Sequence, residues 1–256
     1  MTSVAAGRLA AMRILSLIHG RDAHSGLFGD VARQAGHELE ERSYPLGNPP
    51  WESTEGFDAL MVFGGAMNVH EVEENPWIHE EIALIGDALA RDLPVLGVCL
   101  GGQLLAAAAG GRVTRAPEPE IGWHDVDKTD AATDDPVFAA LPERFLAYQW
   151  HSYQAELPNE GVLLARSPVC AQAFRVGDHA WGTQFHAEVT REIVESWIAN
   201  YGSDPDAVAG GFDSDEQRRR LGEEIGRWNE LGRNVVGGFL TYAESCSGVA
   251  REAARA

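Results

Sequence analysis

The feature that most constrains this chain is Leu93-Pro94-Val95-Leu96-Gly97-Val98-Cys99-Leu100-Gly101-Gly102-Gln103, followed at once by Leu104-Leu105-Ala106-Ala107-Ala108-Ala109-Gly110-Gly111. The Val/Leu run reads as a buried strand, and the Leu/Ala run as a helix stopped by the glycine pair. Cys99 falls at their junction, with glycines two residues before and two after. That is the spacing of a nucleophile elbow with Cys in place of Ser. So sharp a turn strains the nucleophile's backbone and crowds its neighbours, so positions 97 and 101 cannot carry bulk. The helix N-terminus below Cys99 favours a thiolate and offers free N–H groups to an anion. An isolated Cys in an apolar run is more often structural. The full G-x-C-x-G pattern at a junction favours the nucleophile.

A nucleophilic thiol needs a base, and the base needs something to hold it. Trp181-Gly182-Thr183-Gln184-Phe185-His186-Ala187-Glu188 supplies both. In an extended segment residues i and i+2 share a face, about 6.6 Å apart along the chain. His186 and Glu188 can then meet, the carboxylate orienting the imidazole. The alternative for Glu188 is an ordinary surface ion pair. His151 is the competing base, but it has no carboxylate two residues on, so His186 is preferred.

The chain of 256 residues, 45% hydrophobic, is long enough for one large core or a domain plus an extension. A net charge of −19 repels nucleic-acid phosphates and anionic membranes, so neither is expected as a partner. Cys99, Cys170 and Cys246 are too widely spaced for a disulfide framework or a C-x-x-C zinc pattern. A reducing, cytoplasmic setting is therefore expected. The nine histidines form no H-x-x-x-H or H-E-x-x-H, so no metal is expected.

Strands are expected at Met12–Ile18, Glu38–Ser43 and Phe57–Phe63. Helices are expected from Ser25 to Gly36 and from Pro76. This alternation implies an α/β fold: a mostly parallel central sheet with helices on both faces and the elbow at a strand's carboxyl end, where such sheets place ligands. Beyond Val113, shorter alternating strands at Glu120–Val126, Phe145–Trp150, Val162–Arg166 and Ala171–Val176 imply a mixed or antiparallel edge. Thr190 can cap a helix, and Gly202–Gly211 reads as a loop. Ser214-Asp215-Glu216-Gln217 reads as a capping box opening a helix with Leu221, Ile225, Trp228, Leu231, Val235 and Phe239 on one face. The expected organisation is a tail at 1–11, a domain at 12–202, and a helical extension at 203–256. The extension's stripe suits packing on the domain, with a partner contact as the alternative.

At these residues the chain resembles a class I glutamine amidotransferase domain with a Cys-His-Glu triad, of the free-standing GMP-synthase-like type. Gly97-Val98-Cys99-Leu100-Gly101-Gly102-Gln103 is similar to the family's G-x-C-x-G-x-Q. Phe185-His186-Ala187-Glu188 is similar to its H-P-E segment, with Ala187 in place of Pro. Phe63-Gly64-Gly65-Ala66-Met67 lies where the family carries a Gly-rich oxyanion loop, and Trp150-His151-Ser152-Tyr153 resembles its substrate-carrying segment. The likeness runs from about Met12 to about Tyr201.

The resemblance implies a flavodoxin-like sheet and attack by Cys99 on the γ-carboxamide of glutamine. His186 would serve as acid and base, held by Glu188. It implies oxyanion donors at the Gly65 and Leu100 N–H groups. Substrate contacts are implied at Gln103, Met67, Ser152 and Tyr153, with no cofactor. Glu120-Ile121-Gly122-Trp123 resembles a motif of free-standing members and is given a structural role. Beyond Tyr201 no Gly-rich phosphate loop appears. The expected partner is thus a separate synthetase or acceptor. A stand-alone γ-glutamyl peptidase is the alternative, with any enlarged pocket sought between Met67 and Trp77.

Overall fold

The computed structural model describes residues 11–48, 53–158 and 160–253, with side chains to Ser247. Of the expected tail only Ala11 falls among them, and the Pro45–Trp51 loop is described to Asn48. β1 (Arg13–Leu17), α1 (Gly26–Ala35), β2 (Glu38–Arg42), β3 (Ala59–Val62), α2 (Trp77–Ala90), β4 (Val95–Val98) and α3 (Leu100–Ala108) alternate as their sequence periods imply. β5 (Arg112–Lys128), β6 (Arg144–Glu156), β7 (Val162–Arg166), β8 (Ala171–Val176) and β9 (Ala180–Thr183) follow. The chain then runs through α4 (Arg191–Tyr201), α5 (Pro205–Ala209) and α6 (Ser214–Ala253).

All nine strands lie in one sheet, ordered β2-β1-β3-β4-β9-β8-β7-β5-β6. β2, β1, β3, β4 and β9 run parallel, and β8, β7, β5 and β6 add an antiparallel edge. The parallel strands β3, β4 and β9 are buried at every residue, as expected of strands covered on both faces. One core joins the sheet to α1, α4 and α6 through Phe28, Val194, Trp228 and Phe239. The other joins it to α2 and α3 through Ile78, Ile85, Leu104 and Leu105.

Three local expectations are corrected. β5 and β6 are longer than the alternating patterns suggested; in β5, Pro117 and Pro119 cannot donate to a ladder and mask the strand in the sequence. The pairing register shifts there, between Arg115 and Glu120. The segment 202–211 is not all loop: Pro205 opens α5, a position where its missing N–H costs nothing. The cap of α6 is Asp213, one residue before the expected Ser214. Its Oδ1 accepts from the N–H groups of Asp215 and Glu216, both at 2.9 Å.

The stripe of α6 is buried against the sheet and α1, with Leu221, Trp228, Val235 and Phe239 almost fully covered. Gly232 lies within that interface, where a Cβ would overlap the Ala187 carbonyl oxygen. Gly226, in the same helix, faces open space. Gly226→Ala is therefore expected to stabilise the fold by about 0.5–1 kcal/mol. Gly232→Ala should destabilise it by roughly 1–3 kcal/mol through overpacking. Thermal unfolding of the two variants measures the opposite signs. Among the described residues no helix is long and apolar enough to cross a membrane.

Candidate active site

Cys99 sits between β4 and α3 with φ 51° and ψ −108°. Asp92 is the other non-glycine residue with positive φ among those described. This strain at a strand–helix junction is the elbow expected from the spacing. Its steric consequence is also as expected. A Cβ at Gly97 would lie 2.5 Å from the Gly101 carbonyl oxygen, and one at Gly101 would overlap the Val62 carbonyl oxygen. The elbow is pinned from the next strand, since the Cys99 N–H donates to the Thr183 carbonyl at 2.7 Å.

That strand is β9, whose parallel pairing with β4 sets Val98 opposite Thr183. Residues just past both strand ends therefore meet. His186 and Glu188 do not lie on an extended strand as the sequence suggested; β9 ends at Thr183 and they occupy the turn after it. The turn still brings His186 Nδ1 to 2.8 Å from Glu188 Oε1, with both side chains buried. Burial, the largest influence on His186, lowers its proton affinity. The charges of Glu188 and Cys99, with the hydrogen bond to Glu188, outweigh it and push the pKa up to about 10. Removing the sulfur removes one of those raising influences and leaves the burial. Cys99→Ala is thus expected to make the His186 imidazolium lose its proton at lower pH than in the wild type. An NMR titration of the ring measures it, and an unchanged midpoint would separate His186 from Cys99.

The turn is clamped from both sides. The Leu27 N–H donates to the Glu188 carbonyl at 2.8 Å. From α6, Trp228 Nε1 donates to the His186 carbonyl and Asn229 Nδ2 to the Val189 carbonyl, each at 2.8 Å. The helix placed outside the family likeness by sequence therefore holds the backbone of His186.

Gly64 and Gly65 follow β3 after Phe63. A Cβ on Gly64 would lie 2.9 Å from His186 Cε1 and 3.7 Å from Cys99 Cβ, so the loop runs against the thiol–imidazole pair. The Leu100 N–H, first in α3, has no intrahelical partner. Cys99, Gly65, Met67, Leu100, Gln103, Ser152, Tyr153 and His186 all line one cavity of about 470 Å³. Gln103 Nε2 donates to the Tyr153 carbonyl at 3.0 Å and to Gln184 Oε1 at 3.2 Å, so its amide nitrogen is engaged within the protein. The Ser152 hydroxyl donates to Asp206 Oδ2 at 2.5 Å.

Two features escaped the sequence reading. Gln184 Nε2 approaches Cys99 Sγ at 3.5 Å; its position two residues before His186 was the available signal. The cavity is also lined by Arg115 of β5 and by Asp204, Pro205 and Asp206, around the start of α5, in a stretch read as a loop. Arg115 pairs with Asp206 at 2.6 Å.

His151 proves to have a carboxylate neighbour after all. The β5–β6 register sets Glu120 opposite it, and Glu120 Oε2 lies 3.2 Å from His151 Nε2. His151 Nδ1 donates to the Tyr153 carbonyl. Its contacts run to Glu120 and Tyr153, whereas His186 is the histidine that borders Gly64 together with Cys99. Glu120, His151 and Cys170 bring three ligand-type atoms within 4.8 Å of one another, a grouping no local motif revealed. Glu120 Oε2 there already accepts from Ser167 Oγ at 3.0 Å and Gln172 Nε2 at 2.7 Å. Burial first, then Glu120, pushes the Cys170 thiol up, which keeps it protonated as a packing group.

The family model for glutamine amidotransferase class-I matches residues 31–200, more than half of the chain. The chain belongs to the class I glutamine amidotransferase family. A glutamine amidotransferase-like protein of Salmonella typhimurium, YfeJ, is 30% identical over 191 residues, covering 73% of this chain and 80% of that protein. A glutamine-hydrolyzing GMP synthase subunit of Thermoplasma volcanium is 34% identical over 154 residues, covering 57% of this chain and 72% of the relative. The solved amidotransferase of Thermotoga maritima superposes with a TM-score of 0.80 at 27% identity, covering 90% of this chain and 98% of its own. That amidotransferase likeness thus reaches well beyond the residues of the family model.

Proposed function

We propose that this amidotransferase hydrolyses glutamine through Cys99 and supplies ammonia to an acceptor enzyme on a separate chain. The observation that carries it is a strained, elbow-mounted Cys99 and a buried His186, held at 2.8 Å by Glu188, both bordering the same Gly64 position. The Cys99 thiolate adds to the γ-carbonyl carbon, and the Gly65 and Leu100 N–H groups receive the oxyanion. The imidazolium form of His186, favoured by Glu188 and the sulfur, gives its proton to the leaving nitrogen as the C–N bond breaks. Ammonia departs and leaves a γ-glutamyl thioester. Neutral His186 then takes a proton from water, whose oxygen attacks the thioester. Glutamate is released and the thiolate and imidazolium are restored.

A separate acceptor is supported by the likeness to the Thermoplasma GMP synthase subunit, whose name makes it one chain of a multi-chain enzyme. A stand-alone γ-glutamyl hydrolase is the second reading, and one observation favours it. The cavity continues past Cys99 to Arg115, Asp204 and Asp206 and is roomier than a primary carboxamide requires. Its extension lies against α5, with Met67 and Asn68 the only contributions from the Met67–Trp77 stretch. Steady-state comparison of glutamine with γ-glutamyl dipeptides tests the two. Glutamine is expected to be the better donor, with slow turnover by the isolated chain. A dipeptide kcat/KM more than about tenfold higher, roughly 1.4 kcal/mol in transition-state binding, would establish the hydrolase instead.

A further inference from the structure

His19 was not singled out by any motif, yet it is fully buried beside the loop that carries Gly65. Its Nδ1 lies 3.1 Å from both the Phe63 and the Gly64 carbonyl oxygens. Those oxygens only accept, so Nδ1 carries a proton. Its Nε2 lies 2.9 Å from Glu81 Oε2, and neither side chain has any exposed surface. Trp77 stacks on the ring at 5.2 Å, and Tyr44 stacks on Trp77, so the imidazole has one orientation open to it.

We propose that His19 is a positioning residue for the oxyanion loop, bridging Glu81 to the Phe63 and Gly64 carbonyls and thereby turning the Gly65 N–H toward Cys99. The peptide plane makes the connection. The Gly64 carbonyl and the Gly65 N–H belong to one peptide unit, and in a trans unit they point in opposite directions. Fixing that oxygen on His19 sends the N–H the other way. Gly64 borders the thiol–imidazole pair, since a Cβ built there would lie 2.9 Å from His186 Cε1 and 3.7 Å from Cys99 Cβ, and on the proposal this is the side to which the Gly65 N–H turns. The close fit extends to Gly65, where a Cβ would stand 2.7 Å from His19 Cβ.

Stability alone does not call for this arrangement. A buried ion pair is commonly replaceable by apolar side chains at little cost. Glu81 lies on α2, whose other buried residues, Ile78, Leu84, Ile85 and Ala88, are apolar. Glu81 is the charged group that bears on His19. The Trp77 ring and the backbone of Phe63, Gly64 and Gly65 form its other contacts. Burial lowers the proton affinity of His19, but Glu81 and the two carbonyls outweigh it and raise it overall. Geometry agrees with that direction: Nδ1 faces two carbonyl oxygens and Nε2 a carboxylate, so each ring nitrogen has an acceptor for a proton.

The proposal rests on the glutamine-hydrolysis reading of the same site, so its test has two kinds of readout. In steady state, His19→Gln, which keeps reach toward Glu81 but not toward the carbonyls, is expected to lower kcat on the order of a hundredfold. KM should stay within about threefold, as befits a donor used only in the transition state. Alkylation of Cys99 by iodoacetamide, which needs no oxyanion donor, should stay within about twofold. His19→Asn, whose amide N–H takes the place of Nδ1–H, should recover about tenfold of the lost kcat. Independently of turnover, ¹⁵N NMR of the wild type at pH 7 should show both ring N–H signals of His19. The Gly65 amide resonance should shift in His19→Gln and return in His19→Asn. A single ring N–H signal, an unmoved Gly65 amide, or a loss of turnover matched by equal loss of Cys99 alkylation would overturn the proposal. Absence of ammonia release by the wild type from any γ-glutamyl donor would overturn the hydrolysis reading, while the NMR signals still decide the role of His19.

Discussion

His186→Ala is expected to bring glutamine turnover to near background, and Glu188→Gln to leave roughly a hundredfold more activity than that. On the proposed mechanism, removing His186 deletes the proton donor for the leaving nitrogen and the base for water together. In hydrolytic triads that loss reaches on the order of 10⁶ in kcat, and loss of the orienting acid costs about two orders of magnitude less. The structure gives a reason for the same ranking here. The imidazole is placed by more than Glu188: its backbone is held by Trp228 of α6 and its ring packs edge-on to Trp197 at 4.7 Å. A Gln at 188 can still accept from Nδ1–H and keep the tautomer, but the charge that helps raise His186 is gone. Ammonia release by the two variants, with His151→Ala as a third, measures this. Retained turnover in His186→Ala with loss in His151→Ala would mean that the base had been misassigned.

Gly101→Ala is expected to be the most damaging glycine-to-alanine change among the described residues. The new Cβ would overlap the Val62 carbonyl oxygen, and that atom belongs to a strand paired on both sides, with β1 and β4. Neither neighbour can move without breaking ladder hydrogen bonds. The usual overpacking cost of about 1–3 kcal/mol is therefore a lower bound here. A fall in Tm of several degrees at least should accompany it. Activity should fall more steeply than stability, because α3 would be pushed away from β3 and would carry Leu100 out of register with Gly65. Gly86→Ala is the control: it lies in α2 with open space around it, and should match or exceed the wild type in Tm. Equal behaviour of the two variants would remove the steric account of the elbow.

The parts of the molecule legible in the sequence share one property: their cause is local. The β4–α3 junction could be read because an apolar β-branched run, a strained Cys and two glycines occupy adjacent positions. The parallel half of the sheet followed from strand–helix alternation. Asp213 shows where such reading stops, since Asp213 and Ser214 both fit the helix-start pattern and only the hydrogen bonds to Asp215 and Glu216 choose between them. Pro117 and Pro119 hid half of β5 for a comparable reason. Proline withholds one donor but does not prevent a strand from continuing around an irregularity.

The sequence by itself determined the elbow around Cys99, the strand–helix alternation of the parallel half and the nearness of His186 to Glu188. Each of these follows from spacing within a dozen residues, where backbone geometry restricts what side chains can do. Only the tertiary structure decided what surrounds that set. The β4–β9 register delivers His186 to Cys99 across 87 positions of chain. The β5–β6 register gives His151 its own carboxylate and turns it to a different network. The packing of α6 places Trp228 on the His186 carbonyl, and the packing of α2 buries Glu81 against His19. These meetings depend on how whole elements stack to bury their apolar faces. No window of sequence contains both partners, and a buried His or Glu carries no local mark of the group it will face.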